Sequence, residues 1–252
     1  MINFLKNRNN QENVLKECQA DNEKLKKFNN ILDFAKSVMD EIEYFQKYRR
    51  VDITEMKYHP LVDVIRVLGR NLQSKYLSYL LFSKGESELP DIEYRNIMFS
   101  DNVLLSPDGK TFSDLCIQLD IEKEIHLCRD LILPWPWERS RLINCMATIG
   151  EGRSRGKWEQ DFSNHNVKLW LPLGIAWVSS GNHSIATGII QGEGVIKPTY
   201  IFDISPIYEH VFCDGLYYRR KYDNSIISEV TNVEFAAIFE IGRVMIENSI
   251  SF

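Results

Sequence analysis

The spacing of apolar residues changes once along the chain, near residue 85, and this change constrains the fold more than any other feature. Before it, apolar residues recur every three or four positions over about residues 10–50 and again from Pro60 through Phe82, as in amphipathic helices. After it, short apolar runs alternate with turns that contain glycine or proline. The sequence therefore predicts an α+β protein, with a helical region over residues 1–87 packed on a core domain over residues 88–252.

The core domain is expected to hold a small mixed sheet and a C-terminal helix. Within the helical region, we expect a break near Asp21 and an end of the second helix at Gly85. Pro134 and Pro136 cannot lie inside a regular helix, so they form a corner. The elements expected after residue 90 are short strands within 92–99, a hairpin-like turn at 106–110, a strand at 131–133, a helix from about Glu138, a loop at 151–157, either a strand pair or a bent strand at 168–178, a short helix over about 185–190, a strand at 195–204 and a helix at 232–247.

Charge and cysteine content exclude several classes of protein. The formal net charge is -5 and the pI is about 5.6, so the overall field disfavours a protein that coats nucleic acid or an anionic membrane. The five cysteines form no C-x-x-C pair, which suits reduced thiols better than a disulfide framework. No apolar stretch approaches the roughly 18 residues of a membrane span, and the N-terminus lacks a signal-peptide pattern. We therefore expect no membrane partner and a cytoplasmic location.

Residues 176–201 place an apolar strand, a turn of small residues, a short helix and a second strand in immediate succession. A helix that begins at this turn presents unpaired backbone N–H groups and the positive end of its dipole, which favour an anion. Gly181 allows close backbone approach, and His183 and Ser184 can donate hydrogen bonds to phosphate oxygens. The turn predicts a phosphate site. The alternative is a simple helix cap with His183 buried beside it, because serine, asparagine and glycine are common cap residues.

The segment VSSGNHSIATGIIQGEGVI resembles the nucleotide-binding box of the ParB/sulfiredoxin-like superfamily. That box has a strand, a Gly-x-His turn, a short helix with a small residue, a glycine-rich end and another strand. The resemblance spans about residues 128–204 and implies a fold of that superfamily, whose members include a CTP-dependent clamp, an ATP-dependent reductase and nucleases. Ser184 stands where the superfamily commonly has arginine, so a cationic phosphate donor must come from elsewhere or is absent. The box residues that the resemblance implies are Gly181, Asn182 and His183 for the phosphate turn and Ala186 for the helix.

Cations and tryptophans cluster ahead of this turn in an otherwise acidic chain. Guanidinium groups match the geometry of phosphate, and an indole face can stack on a base. The cluster therefore favours a nucleotide or a nucleic-acid strand as ligand. Its alternative is a solvated loop with the tryptophans in the core. The predicted phosphate-binding cations are Arg139, Arg141, Arg153, Arg155 and Lys157, and the predicted stacking residues are Trp135, Trp137 and Trp158.

The candidate catalytic residues are His183, Glu138 and His165, since a carboxylate or an imidazole can act as a general base. The run DFSNHN at 161–166 contains groups compatible with a metal, but no metal-ligand spacing accompanies it, so we assign no metal site. The chain also lacks the sequence patterns of a P-loop, a dinucleotide fold and a nucleophile elbow. No cofactor is assigned, and a nucleotide with Mg²⁺ is what such a site would accept.

Three functions compete. The first is a nucleotide-binding or nucleic-acid-processing protein, such as a phosphodiesterase, nuclease or nucleotide hydrolase. The second is a non-enzymatic interaction module, whose N-terminal helices would bind a protein partner or form a homodimer. The third is a small-molecule hydrolase that uses His165 or His183. Nothing in the helical region supplies a recognition helix with adjoining basic residues, which argues against a helix-turn-helix.

Overall fold

A computed structural model describes residues 2–49, 56–83 and 97–252, with side chains in the first helix from Cys18 onward. Helices and short strands alternate along these residues in an α+β fold. In chain order they are α1 (Ile2–Arg49), α2 (Pro60–Phe82), α3 (Phe112–Leu115), β1 (Ile117–Leu119), β2 (Ile125–His126), β3 (Leu131–Leu133), α4 (Arg139–Thr148), β4 (Asn166–Leu171), β5 (Ile175–Ser180), α5 (Asn182–Gln191), β6 (Val195–Ile196), β7 (Tyr200–Asp203), α6 (Ile207–His210), β8 (Val211–Cys213), β9 (Tyr217–Arg220), β10 (Ile226–Glu229) and α7 (Val233–Glu247).

The central sheet is mixed and has the strand order β1-β7-β4-β5-β3. Strands β4 and β5 pair antiparallel, so the segment at 168–178 is a strand pair and not a bent strand. Strand β3 runs parallel to β5, and β7 runs parallel to β4. The prediction of one strand at 195–204 is wrong, because this segment forms two strands. Its first part, β6, pairs with β2, and its second part, β7, joins the central sheet. Pro198 lies between the two, where it has no N–H to donate to a strand ladder.

Other predictions for the first half of the chain need correction. Helix α1 continues through Asp21 without a break, because no proline or glycine interrupts it there. Residues 97–99 form bends rather than a strand, and residues 92–96 lie outside the described residues. The turn at 106–110 is present, but α3 rather than a second strand follows it, so it does not close a hairpin. The predicted stop at Gly85 and the domain boundary at 84–90 also lie outside the described residues.

One hydrophobic core joins the helices to the central sheet. Helix α7 begins at Asn232, whose side chain accepts a hydrogen bond from the backbone N–H of Phe235, and it buries Phe235 and Phe239 completely. Helices α1 and α2 both pack against α7, and α2 also contacts β3. An ion pair of 2.6 Å between Arg66 in α2 and the buried Asp130 ties the helical region to the start of β3.

Within residues 2–49, 56–83 and 97–252, no helix combines the length and the apolar character that crossing a bilayer requires. All five cysteines are free thiols.

Helices α4 and α5 lie side by side next to the end of β5. Ala186 of α5 is fully buried and packs with Leu142 of α4 and Leu80 of α2, so a small residue at position 186 allows the helices to approach. Strand β5 ends at Ser180, and the chain turns at Gly181 directly into α5. This sequence of elements places the first turn of α5 beside α4 and the loop that follows α4.

Candidate functional site

A cavity of about 780 Å³ opens at the N-terminus of α5, between α4 and the loop at residues 150–157. Most of the residues predicted for the phosphate site meet there, although they are spread over nearly fifty positions of the chain. The predicted residues that line the cavity are Trp137, Arg141, Arg155, Lys157, Trp158, His165, Gly181, Asn182, His183 and Ser184.

Gly181 makes the turn into α5 by adopting a left-handed conformation, with φ of 80°. A Cβ at this position would lie 2.4 Å from Cδ2 of His165, so the position also requires a residue without a side chain. The first intrahelical bond of α5 runs from the N–H of Ile185 to the carbonyl of Gly181. The three amides of Asn182, His183 and Ser184 therefore have no acceptor within the helix, and glycine supplies no side-chain cap.

The side chains of Asn182 and His183 bind protein backbone. Oδ1 of Asn182 accepts a hydrogen bond from the N–H of Trp135 at 2.8 Å, and Nε2 of His183 accepts one from the N–H of Glu138 at 3.1 Å. The proline-rich corner before α4 lacks secondary structure of its own, so these contacts satisfy its amides. The first turn of α5 is thus fixed to the corner by its side chains, which leaves its backbone amides for a ligand.

His183 is held as a neutral imidazole. Burial lowers its pKa, and the nearby Arg141 lowers it further, while the Glu138 carboxylate opposes both. Because Nε2 accepts a hydrogen bond, the proton of the neutral ring lies on Nδ1. The indole of Trp137 packs edge-on against the ring, with the centroids 5.4 Å apart.

His165, Ser184 and Trp158 form a second bracing network under the turn. Nδ1 of His165 accepts a hydrogen bond from the N–H of Asp161 at 2.9 Å, so Nε2 carries the proton and donates it to Oγ of Ser184 at 2.5 Å. The Ser184 hydroxyl in turn donates to the carbonyl of Gly181. Trp158 stacks on His165 with the centroids 5.0 Å apart and donates from Nε1 to the carbonyl of Ser184.

This network restricts the chemistry that His165 can perform. Burial lowers the pKa of His165, and the Asp161 carboxylate only partly opposes that shift. His165 faces Ser184 as a donor and cannot take the hydroxyl proton in this tautomer. The arrangement therefore holds the turn rigid and does not activate Ser184 as a nucleophile.

Three cations border the cavity. Arg141 pairs with Glu138 at 2.6 Å, and its guanidinium lies 5.0 Å above the ring of Trp137. Lys157 pairs with Glu151 at 3.2 Å, and Arg155 lies close enough to Cys145 to influence the pKa of its thiol. The cations and the amides of α5 face the same space, which suits a ligand with several negatively charged oxygens.

Four predicted residues do not line the cavity. Arg139 points to the carbonyl of Ser83, because two positions along a helix turn a side chain by about 200° from Arg141. Arg153 donates to the carbonyls of Met146 and Ile149 and so caps the C-terminal end of α4. Trp135 is 6% exposed and packs against Tyr76 in the core. The carboxylate of Glu138 is occupied by Ser140 and Arg141.

Sequence reasoning missed one wall of the cavity, which α4 provides. Ser140, Asn144 and Cys145 line it together with Arg141. These residues are three or four positions from each other or from Arg141, and residues at this spacing share one face of a helix. That spacing could have predicted that they line the cavity beside Arg141. Glu159 and Asp161 add carboxylates to the lining. Among the residues that the structure describes, no group of three His, Cys, Asp or Glu side chains is placed to hold a metal ion.

Comparison with known proteins identifies a family without an assigned activity. Residues 13–252 match the model of a family of unknown function, DUF6710. No curated protein and no solved structure matches the chain.

Proposed function

We propose that this chain, which belongs to the DUF6710 family, binds a nucleotide through its phosphates at the N-terminus of α5. The observation that carries the proposal is the meeting of the free first-turn amides of α5 with Arg141, Arg155 and Lys157 around one cavity. Amides and guanidinium groups are the donors that phosphate oxygens prefer, and the helix dipole adds to their field.

The shape and composition of the cavity support a nucleotide over a free phosphate ion. Its volume of about 780 Å³ lies in the usual range of ligand pockets and far exceeds that of phosphate. Trp137 lines the cavity and is 40% exposed, so an aromatic base can stack on it. The box at residues 178–196 resembles that of the ParB/sulfiredoxin-like superfamily, which supports the same class of ligand.

The contacts of the candidate bases favour binding over hydrolysis. His165 donates to Ser184, the neutral His183 carries its proton on Nδ1, and Glu138 is paired with Arg141. A nuclease or nucleotide hydrolase would need a group that activates a water molecule. In the cavity, the carboxylates of Glu159 and Asp161 could act as the general base, or a Mg²⁺ ion brought by the nucleotide could activate the water.

Thermal shift and calorimetry with ATP, CTP, GTP and UTP, each with and without Mg²⁺, test the proposal. One nucleotide should raise the melting temperature by several degrees at saturating concentration. Arg155→Gln should weaken nucleotide binding by about ten- to a hundredfold, because one charge-assisted hydrogen bond contributes roughly 1.5 to 3 kcal/mol.

Arg139→Gln is the matched control, since it removes the same charge from a side chain that points away from the cavity. It should leave the affinity within about twofold of the wild-type value. If none of the four nucleotides raises the melting temperature, the protein does not bind them. If both variants lose the same affinity, the effect of Arg155 is a nonspecific effect of charge.

We also propose that the protein works in the cytoplasm. The support is its chemistry: five free thiols are stable in a reducing compartment, and nucleotides are abundant there.

A second candidate function is self-association through the N-terminal helices. An apolar groove of about 700 Å³ lies between α1 and α2, where the side chains of Phe34 and Val67 are 62% and 65% exposed. Sedimentation velocity should then show a dimer that Phe34→Gln dissociates. Phe162→Gln, which removes another exposed aromatic ring far along the chain, should leave the dimer intact.

A further inference from the structure

We propose that Glu193 is a positioning residue of the anion site, whose carboxylate holds the basic loop at residues 150–157 against the cavity. This inference rests on the proposed function, since the loop matters to a ligand only if its cations bind one. The segment QGEG at 191–194 otherwise serves only as the glycine-rich end of α5.

Glu193 contacts both ends of the loop. Oε1 accepts a hydrogen bond from the N–H of Glu151 at 3.3 Å, and Oε2 accepts one from the N–H of Trp158 at 3.2 Å. The cavity-lining cations Arg155 and Lys157 lie between these two amides. One carboxylate therefore joins the start and the end of the segment that carries both cations.

Gln191 and Gly150 make the same connection at the start of the loop. Nε2 of Gln191 donates to the carbonyl of Ile149 at 2.6 Å. A Cβ on Gly150 would lie 2.8 Å from Oε1 of Gln191, so the loop backbone packs directly against this side chain. Within the loop, the N–H of Gly150 donates to the carbonyl of Gly156, and that of Arg155 donates to the carbonyl of Thr148. The loop is closed on itself and fixed to the end of α5.

Trp158 links the clamp to the phosphate turn. Its ring packs so closely on α5 and the segment after it that a Cβ on Gly194 would lie 2.2 Å from the ring, and one on Gly188 would lie 2.9 Å from it. The same indole donates to the carbonyl of Ser184 in the first turn of α5. Glu193 thus binds the backbone of Trp158, whose side chain also holds the first turn of α5 in place.

The charge of Glu193 makes the inference testable by the sign of an effect. Within the described part of the chain, the Glu193 carboxylate forms no ion pair and accepts hydrogen bonds from the two amides. The negative charge of a carboxylate near an anion site repels the anion. If this repulsion were the only effect of Glu193, neutralising its side chain should strengthen anion binding. If it positions Arg155 and Lys157, removing it should weaken binding.

Calorimetry with ATP and with inorganic pyrophosphate measures this sign. Glu193→Ala should raise both dissociation constants about tenfold, because the two cationic side chains must then be ordered on binding. Glu193→Gln keeps one acceptor oxygen and should restore part of the affinity. Glu151→Gln neutralises a carboxylate in the same loop without removing the clamp, and it should bind both probes equally well or more tightly.

Limited trypsin digestion reports the state of the loop without any ligand. Trypsin cleaves after lysine and arginine, and the loop offers Arg153, Arg155 and Lys157. Cleavage there should be slow in the wild type and in Glu151→Gln, and about tenfold faster in Glu193→Ala, since the rate follows the population of the open loop. Melting temperatures identify a variant that has failed to fold, and Glu193→Gln then replaces Glu193→Ala.

The outcomes separate the two proposals. Unchanged cleavage in both Glu193 variants would overturn the clamp. Faster cleavage with equal or tighter binding would show that the clamp does not position the cations. If the wild type binds neither of these probes and none of CTP, GTP and UTP, the proposed function fails. The trypsin pattern alone then decides whether Glu193 holds the loop.

Discussion

At Gly181 the absence of a side chain meets two separate requirements. The left-handed φ of 80° disfavours any residue with a Cβ, and the ring of His165 occupies the place that a Cβ would take. Gly152 has a similar φ of 75°, but nothing lies within 4 Å of its hypothetical Cβ. The two glycines therefore separate the cost of backbone conformation from the cost of close packing.

Gly181→Ala should lower the free energy of unfolding by about 2 to 4 kcal/mol, combining a left-handed backbone with an overpacked contact. Gly152→Ala should cost only about 1 to 2 kcal/mol, the backbone contribution alone. Urea denaturation followed by tryptophan fluorescence measures both. Equal losses would mean that His165 moves away at no cost.

The two buried histidines predict how stability depends on pH. Burial lowers the pKa of both His165 and His183 below the ordinary value of 6.5, so the folded state disfavours their charged forms. The unfolded chain then binds more protons as the pH falls through 6.5, and the free energy of unfolding should fall. Denaturation at pH 7.5, 6.5 and 5.5 should show this loss, and His165→Asn should make it smaller. Stability that rises on acidification would contradict neutral histidines.

At the scale of the element, the middle of α5 is packed in the protein interior and its first turn lines the cavity. Ile185, Ala186 and Thr187 are fully buried, while the first turn faces the cavity. Gly188 lies where the helix passes closest to its neighbours. A Cβ there would be 2.4 Å from Cδ1 of Leu127 and 2.9 Å from the carbonyl of Glu193.

Gly188→Ala should therefore destabilise the protein by about 1 to 3 kcal/mol, as overpacked substitutions do. Helix propensity alone predicts the opposite, an increase of about 1 kcal/mol in the free energy of unfolding, because alanine favours a helix more than glycine does. Ser37→Ala, at an exposed position of α1, is the control and should follow propensity with a small gain. Chemical denaturation of the two variants decides between packing and propensity at position 188.

At the scale of the whole molecule, the buried Asp130 joins elements from both halves of the chain. Its side chain is fully buried, pairs with Arg66 of α2 at 2.6 Å and accepts a hydrogen bond from the N–H of His126 at 2.7 Å. Arg66 also pairs with Asp63, whose side chain is 66% exposed. Removing the buried carboxylate would leave the largely buried guanidinium with only this solvated partner.

Asp130→Asn should lower the free energy of unfolding by about 3 kcal/mol. This value is at the lower end of the range for breaking a buried ion pair, because Arg66 keeps its ion pair with Asp63. Asp63→Asn removes the exposed partner of the same arginine and should cost less than about 1 kcal/mol. Both are measured by urea denaturation at pH 7. A small loss in Asp130→Asn would mean that α2 is not anchored through this pair.

Local patterns were enough to place the elements that depend on neighbouring residues. Helix α2 runs from Pro60 to Phe82 as its spacing predicts, and α5 follows the turn at Gly181. Such signals act within one or two helical turns, where the period of apolar residues and the backbone preference of glycine operate. The split of the strand expected at 195–204 shows the limit, since pairing partners for β6 and β7 come from different sheets.

The amino-acid sequence by itself determined the mixed α+β character, the small-residue turn before α5 and the presence of cations near it. Only the tertiary structure decided which side chains meet. Oδ1 of Asn182 accepts a hydrogen bond from the corner 47 residues earlier, and Nε2 of His183 accepts one 45 residues earlier. Such contacts depend on how distant segments pack, which no local period encodes.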